Sequence, residues 1–141
     1  MSNITFADPV SQSSVSTRSV AEFAGRFLLA ALFLISGLGK IGAYSATAGY
    51  MSSVGVPGFL LPIVIGTEVI GAAAIIVGWQ TRIAAFLLAG FTLLSAALFH
   101  NNFGDQIQAI MFFKNVAIAG GFLLLVANGA GAISIDRRLG N

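Results

Sequence analysis

Five side chains carry the chemistry this sequence can offer: Glu68, Lys114, Asn115, His100 and Lys40. Glu68 sits in GTEVIGA (66–72), near the centre of a longer apolar run, PGFLLPIVIGTEVIGAAAIIVGW (57–79). A run of that length crosses a hydrocarbon core of about 30 Å, which puts the carboxylate near the membrane midplane. A bare charge there is costly, so Glu68 must be protonated or held by a partner. It then either accepts and releases a proton beside a bound polar group or fixes two helices through an ion pair. Depth points to the partner. Glu68 lies about eleven residues from the outer end of its span and Lys114 about seven, or roughly 16 and 10 Å at 1.5 Å per residue. A lysine stem bridges the difference, so the expected contact is an intramembrane Glu68–Lys114 pair, with Asn115 beside it as a neutral hydrogen-bonding group.

A second polar set, Lys40, His100, Asn101, Asn102, Asp105 and Gln106, collects at the outer helix ends. With Glu68 and Lys114 it is expected to form a funnel open to the outer side. An imidazole is suited to exchanging protons near neutral pH. Phe99, Phe103, Phe112 and Phe113 gather at the same end and are expected to line a slot for a flat ring. Each residue also has a structural reading: His100 as an interfacial residue, Lys40 and Arg26 as anchors at the two interfaces, the aromatics as an ordinary membrane belt.

The elements that position these groups are membrane spans. The chain has 141 residues, of which 57% are hydrophobic and 9% charged, where a soluble domain carries about a quarter charged. Its mean hydropathy is +0.92. Four apolar stretches, about 22–41, 57–79, 82–100 and 107–127, are long enough to span. Arg18, Arg26, Arg82, Arg137 and Arg138 fall on one side, Lys40 and Lys114 on the other. The positive-inside rule then puts both termini in the cytoplasm. The expectation is an all-α integral membrane protein, an up-down four-helix transmembrane bundle. The short GWQTR turn makes the second and third spans antiparallel neighbours. In the outward segment 42–58, Tyr44, Ala48, Met51 and Val54 recur near helical spacing, which predicts a short interfacial helix. Residues 1–21 are Ser-rich and polar, without a basic start or an apolar h-region, and read as a mobile tail rather than a cleaved signal.

Several function classes fall away. The chain has no cysteine, which excludes Cys-ligated iron–sulfur clusters, attached c-type haem and thiol–disulfide exchange. One histidine excludes a bis-histidine haem within one protomer. There is no phosphate-cradling glycine loop, zinc spacing or dinucleotide fingerprint. The scattered basic residues, most of them flanking spans, give no nucleic-acid footprint.

Three pieces, in order, carry a resemblance: RFLLAALFLISGLGKI (26–41), GYMSSVGVPGFLLPIVIGTEVIGAAAIIVGWQTRIAA (49–85) and FFKNVAIAGGFLLLVANGAGAISIDRR (112–138). With their R…SGxxK opening, second-helix glutamate, G-x-x-x-R turn and K-N…GG…S-x-D ending, they resemble the DoxX family of small four-helix inner-membrane proteins over about 22–138. The resemblance implies a bacterial cytoplasmic-membrane location. It also implies links to respiratory quinone chemistry, to a membrane subunit of a thiosulfate:quinone oxidoreductase, to quinone or catechol stress, and to oxidative-stress enzymes held at the inner membrane. The leading expectation is a subunit that supports a membrane redox system and binds a quinone at Glu68, Lys114, His100 and Lys40. It would have no cofactor on the chain itself and a partner enzyme carrying flavin, haem or another centre. Two other classes stay open: a non-catalytic scaffold or assembly partner, and a small acid or proton carrier. Either could use a homo-oligomer.

Overall fold

The computed structural model describes residues 15–141, and it is all helix. Helix α1 (Thr17–Gly42) runs almost directly into a short helix, α2 (Tyr44–Ser53). A 3-10 turn (Gly58–Leu60) leads into α3 (Leu61–Val77), followed by α4 (Thr81–Phe99), α5 (Gln106–Asn128) and a final short helix, α6 (Ile135–Leu139). Four segments have the length and apolarity to cross a membrane: Thr17–Gly42, Gly58–Val77, Thr81–Phe99 and Gln106–Asn128. They pack α1 on α3, α3 on α4 and α4 on α5. Four crossings bring the start of α1 and α6 to one end of the bundle, the terminal end, and leave α2 at the other.

The first span starts five residues earlier than the polarity of the sequence suggests. Ser16 caps it, its hydroxyl accepting from Ser19 N–H at 3.1 Å. Part of the predicted tail is therefore helix, and residues 1–14 lie outside the described residues. Helix α2 forms where an interfacial helix was expected, but with a different face. Met51 is buried, whereas Tyr44 and Val54 are exposed.

Small residues make the core. Ala30 and Phe33 of α1 meet Ala72 and Ile75 of α3, Ala85, Leu88 and Ala89 of α4, and Ala119 and Phe122 of α5. Alanines let the backbones approach closely, which is how helices gain packing energy in lipid. The Phe33 and Phe122 rings meet edge-on at 5.3 Å and join α1 to α5. Large apolar side chains such as Leu28, Ile35, Ile63 and Ile70 point outward, as a lipid-facing surface requires.

The terminal end is clamped by charged side chains on backbone groups that helices leave unpaired at their ends. Arg26 does not snorkel or anchor at the interface. It is 1% exposed, and its guanidinium donates to Ile75 O at 2.9 Å, to Ile76 O at 3.3 Å, and to Ile133 O. A cation on the last carbonyls of α3 satisfies acceptors and complements the helix dipole. Arg82 does the same for α5, donating to Val126 O and Ala127 O at 2.8 and 2.9 Å. Helix α3 ends on Gly78 in the left-handed region (φ 70°), with Trp79 N–H returning to Ala74 O. Any side chain at Gly78 would collide with Arg26 and Ser134. The turn leaves α4 without a cap of its own, and Asp136 supplies one from α6. Its carboxylate accepts from Gln80 N–H at 2.8 Å and Thr81 N–H at 2.9 Å.

Candidate functional site

At the α2 end, α1 and α3 run antiparallel with a glycine between them. A Cβ on Gly37 would lie 2.7 Å from Val69 Cγ2 and 3.1 Å from Glu68 Cβ, so only glycine admits this approach without displacement. One turn on, Lys40 carries the counter-charge. Its stem leans toward the N-terminus of α1, as helical side chains do, and so reaches down into the bundle. Lys40 Nζ lies 3.1 Å from Glu68 Oε1 and 3.0 Å from Oε2. Ser36, one turn before Lys40, completes the set. It donates to Glu68 Oε1 at 3.2 Å and accepts from Lys40 Nζ at 2.6 Å.

The glutamate is therefore paired with Lys40 rather than Lys114. Lys114 is exposed on α5 and forms no ion pair among the described residues. The reason is rotation rather than depth. Asn115, Ala119 and Phe122 make the inward stripe of α5, and Lys114 is turned about 100° from Asn115. Ala117 and Asn128, aligned with Lys114, are exposed too, while Gly121 on the same stripe is half-buried against Leu29 of α1. Asn115 does not join Glu68; it donates to Thr92 O of α4 at 3.4 Å.

Glu68 is 4% exposed, and its Oε2 sits close to the ammonium without an aligned hydrogen-bond donor. Both Glu68 and Lys40 line a cavity of about 380 Å³ enclosed by α2, α3 and α4. Tyr50 and Met51 of α2 roof it, and Val64 and Phe91 form walls. Ile63 and Leu94 belong to its lining yet are 65% and 59% exposed, so the cavity opens sideways between α3 and α4. On a membrane-spanning bundle that opening faces hydrocarbon, not water.

His100 also reaches this cavity, with Nδ1 at 3.0 Å from Gln108 Oε1. Two other members of the expected funnel are engaged elsewhere. Asp105 caps α5 through Ile107 N–H at 2.9 Å, and Asn101, just past α4, donates to Ala97 O in its last turn. The aromatic slot divides in two. Phe103, Phe112 and Phe113 cluster together, with Phe103 and Phe112 rings 4.9 Å apart, while Phe99 stacks on Tyr50 at 5.7 Å by the cavity. Among the described residues no three His, Asp or Glu side chains gather as a metal site. The arrangement is a largely apolar slot whose floor includes the Lys40 ammonium and the buried Glu68 carboxylate.

The sequence model of the DoxX family matches residues 21–101. Two relatives from Escherichia coli (strain K12) align over nearly their full lengths. Inner membrane protein YqjF is 51% identical over 120 residues, covering 85% of this chain and 92% of the relative. Inner membrane protein YphA is 39% identical over 128 residues, covering 86% and 91%. No solved structure matches the chain. Four spanning helices and these relatives make it a multi-pass inner-membrane protein, and the chain belongs to the DoxX family.

Proposed function

We propose that this protein is a small subunit supporting a redox system of the inner membrane, and that it takes a quinone into the cavity above Lys40 and Glu68. The observation that carries this reading is the pairing of a lipid-facing entrance with a buried polar floor. Such a slot selects a ligand that dissolves in hydrocarbon and carries a small polar head. A volume of about 380 Å³ falls in the range of small-molecule sites.

A quinone carbonyl accepts from Lys40 Nζ, and a quinol hydroxyl donates to the Glu68 carboxylate, both of which line the cavity. The isoprenoid-type tail leaves between α3 and α4. With no cysteine and one histidine, the electrons are assigned to a partner enzyme carrying flavin, haem or another centre. By the balance of basic residues, the slot lies in the outer half of the membrane, with both termini cytoplasmic.

The test is a titration of the reconstituted chain with a short-tailed benzoquinone. One site per chain is expected, weakened at least about ten-fold in Lys40→Met, where a charge-assisted hydrogen bond is lost, and abolished in Leu94→Trp, which fills the entrance. Unchanged binding in both variants refutes the assignment.

A scaffold role has one observation in its favour. Only 11% of the most apolar stretch of α5 is buried, against 22–33% in the other spans, and Lys114 stands on that bare helix. A partner helix or second copy covering α5 would explain it. Glu68→Gln that leaves partner assembly intact, with Lys114→Leu abolishing it, would favour the scaffold.

A further inference from the structure

Helices α1 and α5 meet where a Cβ on Gly121 would come within 3.4 Å of Leu29, and they part toward the terminal end. There a Cβ on Gly25 would meet nothing within 4 Å. The result is a cleft of about 540 Å³ lined by Gly25, Leu29, Gly121 and Leu125. Arg18 and Glu22 stand at its mouth, and the same two residues line a second, polar cavity of about 350 Å³ beside α6, with Ser19, Arg137 and Asn141. A cleft between two spanning helices thus adjoins a charged cavity at the terminal end, the two sharing Arg18 and Glu22.

The charges do not balance. Arg18 pairs with Glu22 at 2.9 Å but remains 83% exposed. Asp136 is committed to the N–H groups of Gln80 and Thr81. Arg137 has no ion-pair partner among the described residues. In the floor of the cleft, Arg26 is 1% exposed and its Nε has no hydrogen-bond acceptor among the described residues. Positive charge therefore exceeds negative around the two cavities, at the depth of lipid headgroups, and the exposed Arg18 and Arg137 are the cations open to a ligand. Arginine forks match phosphate geometry, and near a bilayer surface a phosphodiester is the anion at hand.

We propose that the joined cavities hold one glycerophospholipid, its phosphodiester bound by Arg18 and Arg137 and an acyl chain lying in the α1–α5 cleft. This site lies at the opposite end of the bundle from the Lys40–Glu68 cavity and does not depend on the quinone reading. The Gly25 gap is where the chain lies, and the Leu29–Gly121 contact closes its inner end. An aminophospholipid additionally places its ammonium against Glu22.

Native mass spectrometry of the delipidated full chain in mild detergent tests this, with dioleoyl phosphatidylethanolamine, dioleoyl phosphatidylglycerol, dioleoylglycerol and inorganic phosphate as probes. The expected result is one phospholipid held per chain, at least about ten-fold more tightly than dioleoylglycerol, which has the chains without the phosphate. Inorganic phosphate should not displace it. Gly25→Leu fills open space without a clash, and Arg18→Gln sits at an exposed position. Each should weaken retention, and Arg18→Gln keeps the test decisive if Gly25→Leu fails to fold. Equal retention of dioleoylglycerol, displacement by inorganic phosphate, or lipid counts unchanged in both variants would show a non-selective lipid coat and overturn the proposal.

Discussion

Gly37 of α1 lies directly against Glu68 of α3: a Cβ there would come within 3.1 Å of the glutamate's own Cβ. The buried carboxylate is therefore in place because a glycine lets two backbones close on it, and Ser36 and Lys40 flank that glycine on the same helix. Position, hydroxyl and counter-charge come from five consecutive residues, SGLGK. Replacing Gly37 by alanine should cost about 1–3 kcal/mol, the usual penalty for overpacking a tight contact. Thermal unfolding in detergent measures it, and an unchanged midpoint would mean that the helices are not in contact here.

Lys40 and Glu68 should be energetically coupled. Each single change, Lys40→Met or Glu68→Gln, strands a polar group in the cavity wall, so the double variant should recover part of the combined loss. Contacting pairs give interaction energies of about 0.5–3 kcal/mol, and the partial exposure of Lys40 points to the lower half of that range. The control is Lys114→Met with Glu68→Gln, which should be additive. Coupling at Lys114 and none at Lys40 would reverse the pairing found here.

Arg26 should tolerate no substitution, lysine included. Its fork serves carbonyls from α3 and from the loop before α6 at once, and a single ammonium cannot reproduce that geometry. Arg26→Lys and Arg26→Gln should both lose at least about 2 kcal/mol, the scale for removing a buried charge-assisted donor. If Arg26→Lys keeps wild-type stability, bidentate capping is not what the residue provides.

The Asp136 clamp predicts an acid-sensitive end of the bundle. Burial pushes its carboxyl up, but the N–H groups of Thr81 and Gln80 outweigh that and hold it below the usual carboxylate value. A carboxyl lowered on folding contributes stability that is fully present above the ordinary carboxylate pKa and is lost as pH falls through the lowered value. Hydrogen exchange at Gln80 and Thr81 should accelerate over that acidic window, and Asp136→Asn should flatten the dependence. Identical acid profiles for both proteins would rule the clamp out.

Spans, their antiparallel order and the burial of a paired Glu68 were legible because hydropathy and an isolated charge need no knowledge of packing. The pairing was not. Depth alone put Lys114 within reach of Glu68, and the rotation of α5 is what turns it away. On this helix the inward stripe is Asn115, Ala119 and Phe122, and Lys114 lies outside it. The signal that would have identified Lys40 was present in the SGLGK spacing, since Ser36 and Lys40 stand one helical turn apart on either side of a small residue. The partners of Arg26 were hidden for a related reason. Its targets are backbone carbonyls of residues 75, 76 and 133, which leave no mark in side-chain pattern. The cavity itself depends on α2 folding back over α3 and α4, a tertiary arrangement with no local sequence cue.

The most direct test of the central claim is the quinone content of the protein extracted gently from its native membrane, comparing wild type with Lys40→Met and Glu68→Gln. About one quinone per chain in the wild type, depleted in both variants while all three remain folded, is the predicted result. A wild-type chain that carries no quinone, or variants that carry as much as wild type, would contradict a quinone site on the Lys40–Glu68 floor.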